Sequence, residues 1–97
     1  MAEVIWNWDP QKAEINRSKH GLSFEAAVHV FDDPCLISDP DPCEVEARWR
    51  TLGMVMGVLL MVVHTEPLAA GPAETQEGRI ISARKATPAE RRGYHNG

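Results

Sequence analysis

Six consecutive apolar residues, Val58-Leu59-Leu60-Met61-Val62-Val63, constrain this chain more than any other stretch. Successive side chains of a strand point to opposite faces, so an unbroken apolar strand needs cover on both. The run therefore predicts a central strand, buried on two sides. Its neighbours fit that placement. Arg48 to Leu52 and Val58 to Thr65 read as the arms of a β-hairpin, joined through Gly53-Met54-Val55-Met56-Gly57. Arg79 to Ala83 reads as a last strand. Residues 66–78, rich in Pro, Gly, Ala and Glu, read as the loop before it.

The N-terminal part supplies the cover. Glu3 to Trp8 alternates Val4, Trp6 and Trp8 against Glu3, Ile5 and Asn7, the pattern of a short strand. Asp9 is a good N-cap and Pro10 suits the first helical position, so a helix starts there and Gly21 ends it. Only Ala13 and Ile15 are apolar inside it. They are two residues apart and form no helical stripe. Ser23 caps a second helix whose Phe24, Ala27, Val28 and Phe31 face the core, stopped by Asp32-Asp33-Pro34. Cys35 to Ser38 reads as a short strand. Asp39-Pro40-Asp41-Pro42 reads as a loop that cannot continue a ladder. Thr87-Pro88-Ala89-Glu90 is a capping box that opens a short helix carrying Arg91, Arg92 and Tyr94. The expected class is α+β: a small, mostly antiparallel sheet with two N-terminal helices and one short C-terminal helix. No repeat or linker interrupts it, so one domain over residues 1–97 is expected.

Charge is unevenly placed. Residues 1–47 hold three cations against ten acids; residues 48–97 hold seven cations against four. The acidic balance overall argues against nonspecific coating of DNA, while the basic second half permits local contact with nucleic acid. No run of ~18 apolar residues exists, so no membrane-spanning helix is expected. Met-Ala-Glu and the tryptophans after it do not read as a signal peptide. Cys35 and Cys43 lack the spacing of a zinc knuckle or redox pair, so both are expected to be reduced thiols of a cytoplasmic protein.

Three segments then carry a resemblance. The first runs from Trp6-Asn7-Trp8-Asp9-Pro10 through Lys12 and Asn16 to Lys19-His20-Gly21-Leu22-Ser23-Phe24. The second is Leu59 to Thr65-Glu66, after Arg48-Trp49 and Gly53. The third is Arg79-Ile80-Ile81-Ser82-Ala83-Arg84-Lys85-Ala86-Thr87 with Glu90-Arg91-Arg92 and Tyr94. In this order they resemble the BrnT-type toxins, the ribonuclease half of bacterial type II toxin–antitoxin pairs. The resemblance implies a fold like the RelE toxins and metal-independent RNA cleavage that arrests translation. It implies no cofactor. It also implies a cognate antitoxin of the BrnA type, which binds operator DNA through a ribbon–helix–helix domain. His64 stands where many members of the family have tyrosine.

Metal-free cleavage of RNA uses its own 2′-hydroxyl as nucleophile. It needs proton transfer and cations that stabilise the charge on phosphorus. Arg84 is the first candidate for stabiliser, because a guanidinium fork matches two phosphate oxygens and Ile81 and Ala83 should fix its backbone. Arg48 can join it across the strands, or pair with Glu44 or Glu46. His64 is a candidate acid or base, or a structural histidine. Tyr94 can donate a proton or stack on a base, or else pack the last helix with its hydroxyl in water. Lys19, His20, Arg79, Lys85, Arg91 and Arg92 are candidate RNA contacts. Lys19 and His20 also suit a helix C-terminus. His29 reads as structural and His95 as solvated. The tryptophans Trp6, Trp8 and Trp49 read as core. Asp32, Asp33, Asp39 and Asp41 read as a polar loop around prolines, not as a metal site.

Two other functions stay open. One is a binding module that serves as partner and corepressor of the antitoxin, with Arg84 paired internally beside a large apolar groove. The other is a structural subunit joined through unpaired sheet edges. A ribonuclease should instead present Arg84 and an acid–base group on one concave face.

Overall fold

The apolar run forms β4 (Val58–Thr65), an inner strand of a mixed six-stranded sheet. The structure is a computed structural model that describes residues 3–42, 45–69 and 75–96. The other strands are β1 (Glu3–Asn7), β2 (Ile37–Asp41), β3 (Arg48–Val55), β5 (Leu68–Ala69) and β6 (Thr75–Lys85). Their order is β1-β6-β4-β3-β2, with β5 also paired to β6. Among the described residues only β1 with β6 is parallel; the other pairings are antiparallel. The helices are α1 (Pro10–His20), α2 (Phe24–Ala27), followed by a 3-10 turn over Val28–Asp32, and α3 (Pro88–Asn96). The α+β class and its mostly antiparallel sheet follow the sequence reading. Among the described residues no helix is long and apolar enough to cross a membrane.

β4 is covered on both faces, as its composition requires. Leu60 and Val62 pack with Phe24, Ala27, Val30, Ile80 and Ala83 beneath α1, α2 and the 3-10 turn. Leu59 and Met61 pack with Leu52, Ala86 and Tyr94 beneath α3. Trp6 and Trp8 serve the first core. Trp6 stacks on Phe31 with centroids 4.3 Å apart, and Trp8 meets Phe24 edge-on. Trp49 is half-buried on the same side of the sheet.

Several boundaries differ from the sequence reading, each for a physical reason. The β3–β4 connection is a two-residue turn, Met56-Gly57, and not the five-residue loop expected. Both residues have positive φ, 48° and 81°, the geometry that matches the twist of a tight hairpin. Gly53 therefore lies inside β3, where the 3-10 turn crosses it: a Cβ there would sit 2.7 Å from the Val30 carbonyl oxygen. Asp39-Pro40-Asp41 belongs to β2 and is not a loop. Pro40 is tolerated because β2 is the outermost strand, so its missing N–H leaves no ladder bond unmade. β6 begins at Thr75, well before Arg79. Residues 70–74 of the expected loop, and Cys43 with its expected reduced state, lie outside the described residues; Cys35 is an exposed free thiol.

β6 also carries a bulge. Val63 pairs with Ser82, but the next residue, His64, pairs with Ile80, so Ile81 is an extra residue. Simple alternation would place Arg79, Ile81 and Ala83 on one face. The bulge instead sends Ile80 and Ala83 into the core and turns Arg79 to the opposite side. The expectation that Ile81 and Ala83 together anchor Arg84 is corrected accordingly.

β1 covers only Thr75 to Arg79 of β6, leaving the edge beyond it for α1. There Asn16 acts as a surrogate strand. The Asn16 side chain donates from Nδ2 to the Ala83 carbonyl at 2.9 Å and accepts from the Ala83 N–H at 3.0 Å. Nδ2 also donates to Leu22 O at 3.2 Å. This explains how a helix without an apolar stripe is held: Asn16 is its buried residue. Replacing Asn16 with leucine strands both buried Ala83 groups and should cost about 2–4 kcal/mol in urea unfolding. A loss under ~0.5 kcal/mol would show that this edge is closed by other means.

Candidate functional site

Strand register collects arginines on the face that α3 covers only at one end. Arg48, Arg50 and Leu52 alternate along β3 and share that face. Thr65, Val63 and Met61 lie opposite them on β4. Ser82 and Arg84 follow on β6, opposite Val63 and Met61. Arg79 joins through the bulge; its backbone N–H donates to Thr65 Oγ1 at 2.9 Å. The floor is thus a half-buried valine with hydroxyls and four guanidinium groups around it. Asp39 and Asp41 of β2 line its far border, opposite Arg50 and Arg48.

Carboxylates hold three of these arginines. Glu46 accepts from Arg79 Nη2 through both oxygens, at 2.7 and 3.0 Å, and from Arg48 Nε at 3.1 Å. The two guanidinium groups, Arg79 first, keep its carboxyl below the usual range. The alternative partner expected for Arg48, Glu44, lies outside the described residues. Arg84 donates from Nη1 and Nη2 to the two Glu90 oxygens at 2.7 and 2.9 Å, and from Nη1 to Lys85 O. Glu90 also accepts from the Thr87 N–H, completing the reciprocal capping box of α3. The Arg84 bond in first place holds the Glu90 carboxyl at about 2. Arg84 remains 37% exposed, and its Nε–Nη2 edge is not used by Glu90. Arg50 approaches Asp41 only at 3.7 Å, beyond hydrogen-bond reach.

Tyr94 fixes α3 from the other end. It packs against the second core and donates its hydroxyl to Asp33 Oδ2 at 2.6 Å. Asp33 also accepts from the Met54 and Cys35 N–H groups. The phenol is pushed up to about 12 by Asp33, whose own carboxyl is lowered by the same bond. The hydroxyl is therefore committed to Asp33, not left in water. Of the other aspartates, Asp32 pairs with His29 at 3.0 Å, and Asp39 and Asp41 sit on β2. Among the described residues no three His, Cys, Asp or Glu side chains gather as a metal-binding group.

The histidines do not meet the arginines. His64 faces the first core, 5% exposed, edge-on to Trp6 and Phe31. Its Nδ1 lies 2.8 Å from the Thr65 carbonyl, so it donates there. The neutral ring then accepts at Nε2 from Thr51, 2.6 Å away, which in turn accepts from Ser38. The structure thus places His64 in a buried polar chain, the structural alternative, and not on the arginine face. Lys19 and His20 lie around the β6 edge, lining a cleft of about 200 Å³ with Lys12, Ile81 and Ser82. Lys85 faces away from Arg84 and lines a cleft of about 310 Å³ with Arg91 and His95 at the hairpin end. Arg92 is exposed on α3.

The face can bind and polarise a phosphate, since guanidinium groups donate in a planar fork. It places Arg48, Arg79 and Arg84 of the expected residues on one face, Arg48 and Arg79 joined through Glu46 and Arg84 four residues further along β4. It adds Arg50, whose signal was its spacing of two from Arg48 on a strand. It separates them from His64, Lys19 and His20.

Burial keeps the His64 ring pKa below its usual 6.5, only partly countered by the Thr65 bond. The unfolded chain then binds more protons, so stability is full above about pH 6.5 and falls as pH drops through it. The unfolding midpoint should decline from about pH 7.5 to about pH 5, and His64→Gln should flatten that decline. Carboxylates such as Glu90 and Asp33 lose their contributions only at lower pH, below their unfolded values. A flat wild-type midpoint across the upper window would contradict a buried neutral His64.

No curated protein matches the chain. A family model described as the ribonuclease toxin BrnT of type II toxin–antitoxin systems matches residues 8–90. That span includes all four arginines of the face, Glu46, Asn16 and Glu90. The chain belongs to the BrnT family of ribonuclease toxins.

Proposed function

We propose that this toxin cleaves RNA without a metal ion, on the arginine face beside α3, and thereby blocks translation in the cytoplasm. The observation that carries the reading is that Arg48 of β3 and Arg79 and Arg84 of β6 share one side of the sheet, the last two through the bulge between them. The ribose 2′-hydroxyl gives its proton to water and bonds to the adjacent phosphorus. The P–O5′ bond breaks and the 5′-oxygen takes a proton from water, leaving a 2′,3′-cyclic phosphate. Guanidinium groups stabilise the charge that accumulates on the phosphoryl oxygens. Arg84 contributes its Nε–Nη2 edge while Glu90 holds the other. Arg48 and Arg79 exchange Glu46 for phosphate. Lys85, Arg91 and Arg92 attract flanking backbone, and Lys19 with His20 does so around the β6 edge. With His64 buried and Tyr94 tied to Asp33, charge stabilisation outweighs histidine acid–base chemistry in this scheme.

A RelE-like fold is part of this proposal; the α+β arrangement of a mostly antiparallel sheet with flanking helices supports it. An antitoxin of the ribbon–helix–helix type would neutralise it by covering the arginine face and would carry the pair to operator DNA. The internal Arg84–Glu90 pair favours a second reading, a catalytically weak module that acts as antitoxin partner and corepressor.

RNA cleavage in excess EDTA, with wild type beside Arg84→Ala, tests the proposal. Wild-type activity should survive EDTA, and the variant should lose ~100-fold while unfolding like wild type. Activity abolished by EDTA would overturn the metal-free scheme. Absent cleavage and absent growth arrest would favour the corepressor reading.

A further inference from the structure

Arg50 differs from its neighbours on the arginine face. Arg48, Arg79 and Arg84 each make a hydrogen-bonded carboxylate pair. Among the described residues Arg50 makes none. Its Nε is buried without a hydrogen-bond partner, and Asp41 Oδ1 stands off at 3.7 Å. Yet the side chain is 41% exposed, so the outer guanidinium reaches solvent. A buried charged donor without a partner is costly, and native proteins keep few of them. The position is central: Arg50 stands between Arg48 and Leu52 on β3, with Asp39 on one side and Val63, then Ser82, on the other.

We propose that Arg50 is the principal phosphate-binding residue of this face, taking a backbone phosphate of single-stranded RNA. Asp41 is its resting counter-charge. The inference rests on the ribonuclease reading of the face and adds a residue and a competing carboxylate to it. The solvent-facing outer nitrogens of Arg50 offer a phosphate the fork that no carboxylate among the described residues holds, with Asp41 standing off at 3.7 Å from Nε. Val63 offers the apolar floor on which a ribose or base can lie. Because Asp41 and the phosphate compete for one guanidinium, changes at the two positions have opposite signs.

The test uses the full chain and a short single-stranded RNA, methylated at every 2′-oxygen so that it binds uncut. Affinity is measured against salt, and cleavage is followed separately on unmodified RNA. Arg50→Ala should weaken binding and lower the slope of log K against log salt by about one. It should also reduce cleavage ~100-fold. Arg50→Lys should keep the salt slope but not the cleavage rate, since an ammonium lacks the fork. Asp41→Asn should tighten binding several-fold. Thermal unfolding of each variant separates these effects from loss of fold. Arg50→Ala with wild-type affinity, slope and cleavage would overturn the proposal while leaving the ribonuclease reading intact. Wild type that neither binds nor cuts RNA would overturn both. Weaker binding by Asp41→Asn would mean that Asp41 aids RNA and does not compete with it, against the proposal.

Discussion

An unbroken apolar strand at the centre of a sheet must be buried on both sides, and this chain buries β4 unequally. One face receives α1, α2, the 3-10 turn, Trp6 and Trp8. The other receives α3, which is short and packs over one end of the strands, at Leu52, Met54, Leu59 and Met61. Beyond that helix the outward positions of β3 and β6 must meet water, so they are polar there: Arg48, Arg50, Ser82 and Arg79. The candidate site is thus the uncovered remainder of a two-sided core. Its location depends on where α3 docks, and α3 docks through Glu90 on Arg84 and Tyr94 on Asp33. One of the site's own arginines therefore helps set the boundary of the site.

Clustered like charges are unfavourable unless something balances them. Here Glu46 and Asp41 of the acidic half supply most of the balance, and Glu90 of the second half supplies the rest. Glu46 spans Arg48 and Arg79, Glu90 holds Arg84, and Asp41 faces Arg50. Most of these pairs are partly exposed, so each contributes little to stability and can be exchanged at modest cost. A polyanion offers the same acceptor geometry as the carboxylates it would displace. The uneven charge distribution thus has a structural meaning: acids of the first half lie against cations of the second.

Much of this was legible in residue order. The two-sided burial of β4, the caps at Asp9, Ser23 and Thr87, and the role of Phe24, Ala27, Trp6 and Trp8 follow from periodicity and local chemistry. Other features were not, for identifiable reasons. Asn16 closes the β6 edge through bonds to a residue far along the chain, which no local pattern reports. The bulge at Ile81 shifts a strand's alternation by one, so Arg79 changes face without any change in composition. Pro40 reads as a breaker unless the edge position of β2 is known. His64 could be read as an acid–base group or as a structural histidine, and only the packing of Trp6 and Phe31 over it decides for the second. Arg50 was readable from its spacing to Arg48, yet only the absent hydrogen bond distinguishes it.

The most direct test of the arginine face as the RNA surface is a nuclear magnetic resonance titration. It would follow arginine Nε–H signals and backbone amides as a cleavage-resistant RNA is added. The account predicts the largest shifts at Arg48, Arg50, Arg79 and Arg84, and at the amides of Val63, Thr65 and Ser82. Shifts confined to Lys12, Lys19 and His20 on α1, or to Arg91 and Arg92 on α3, would contradict it.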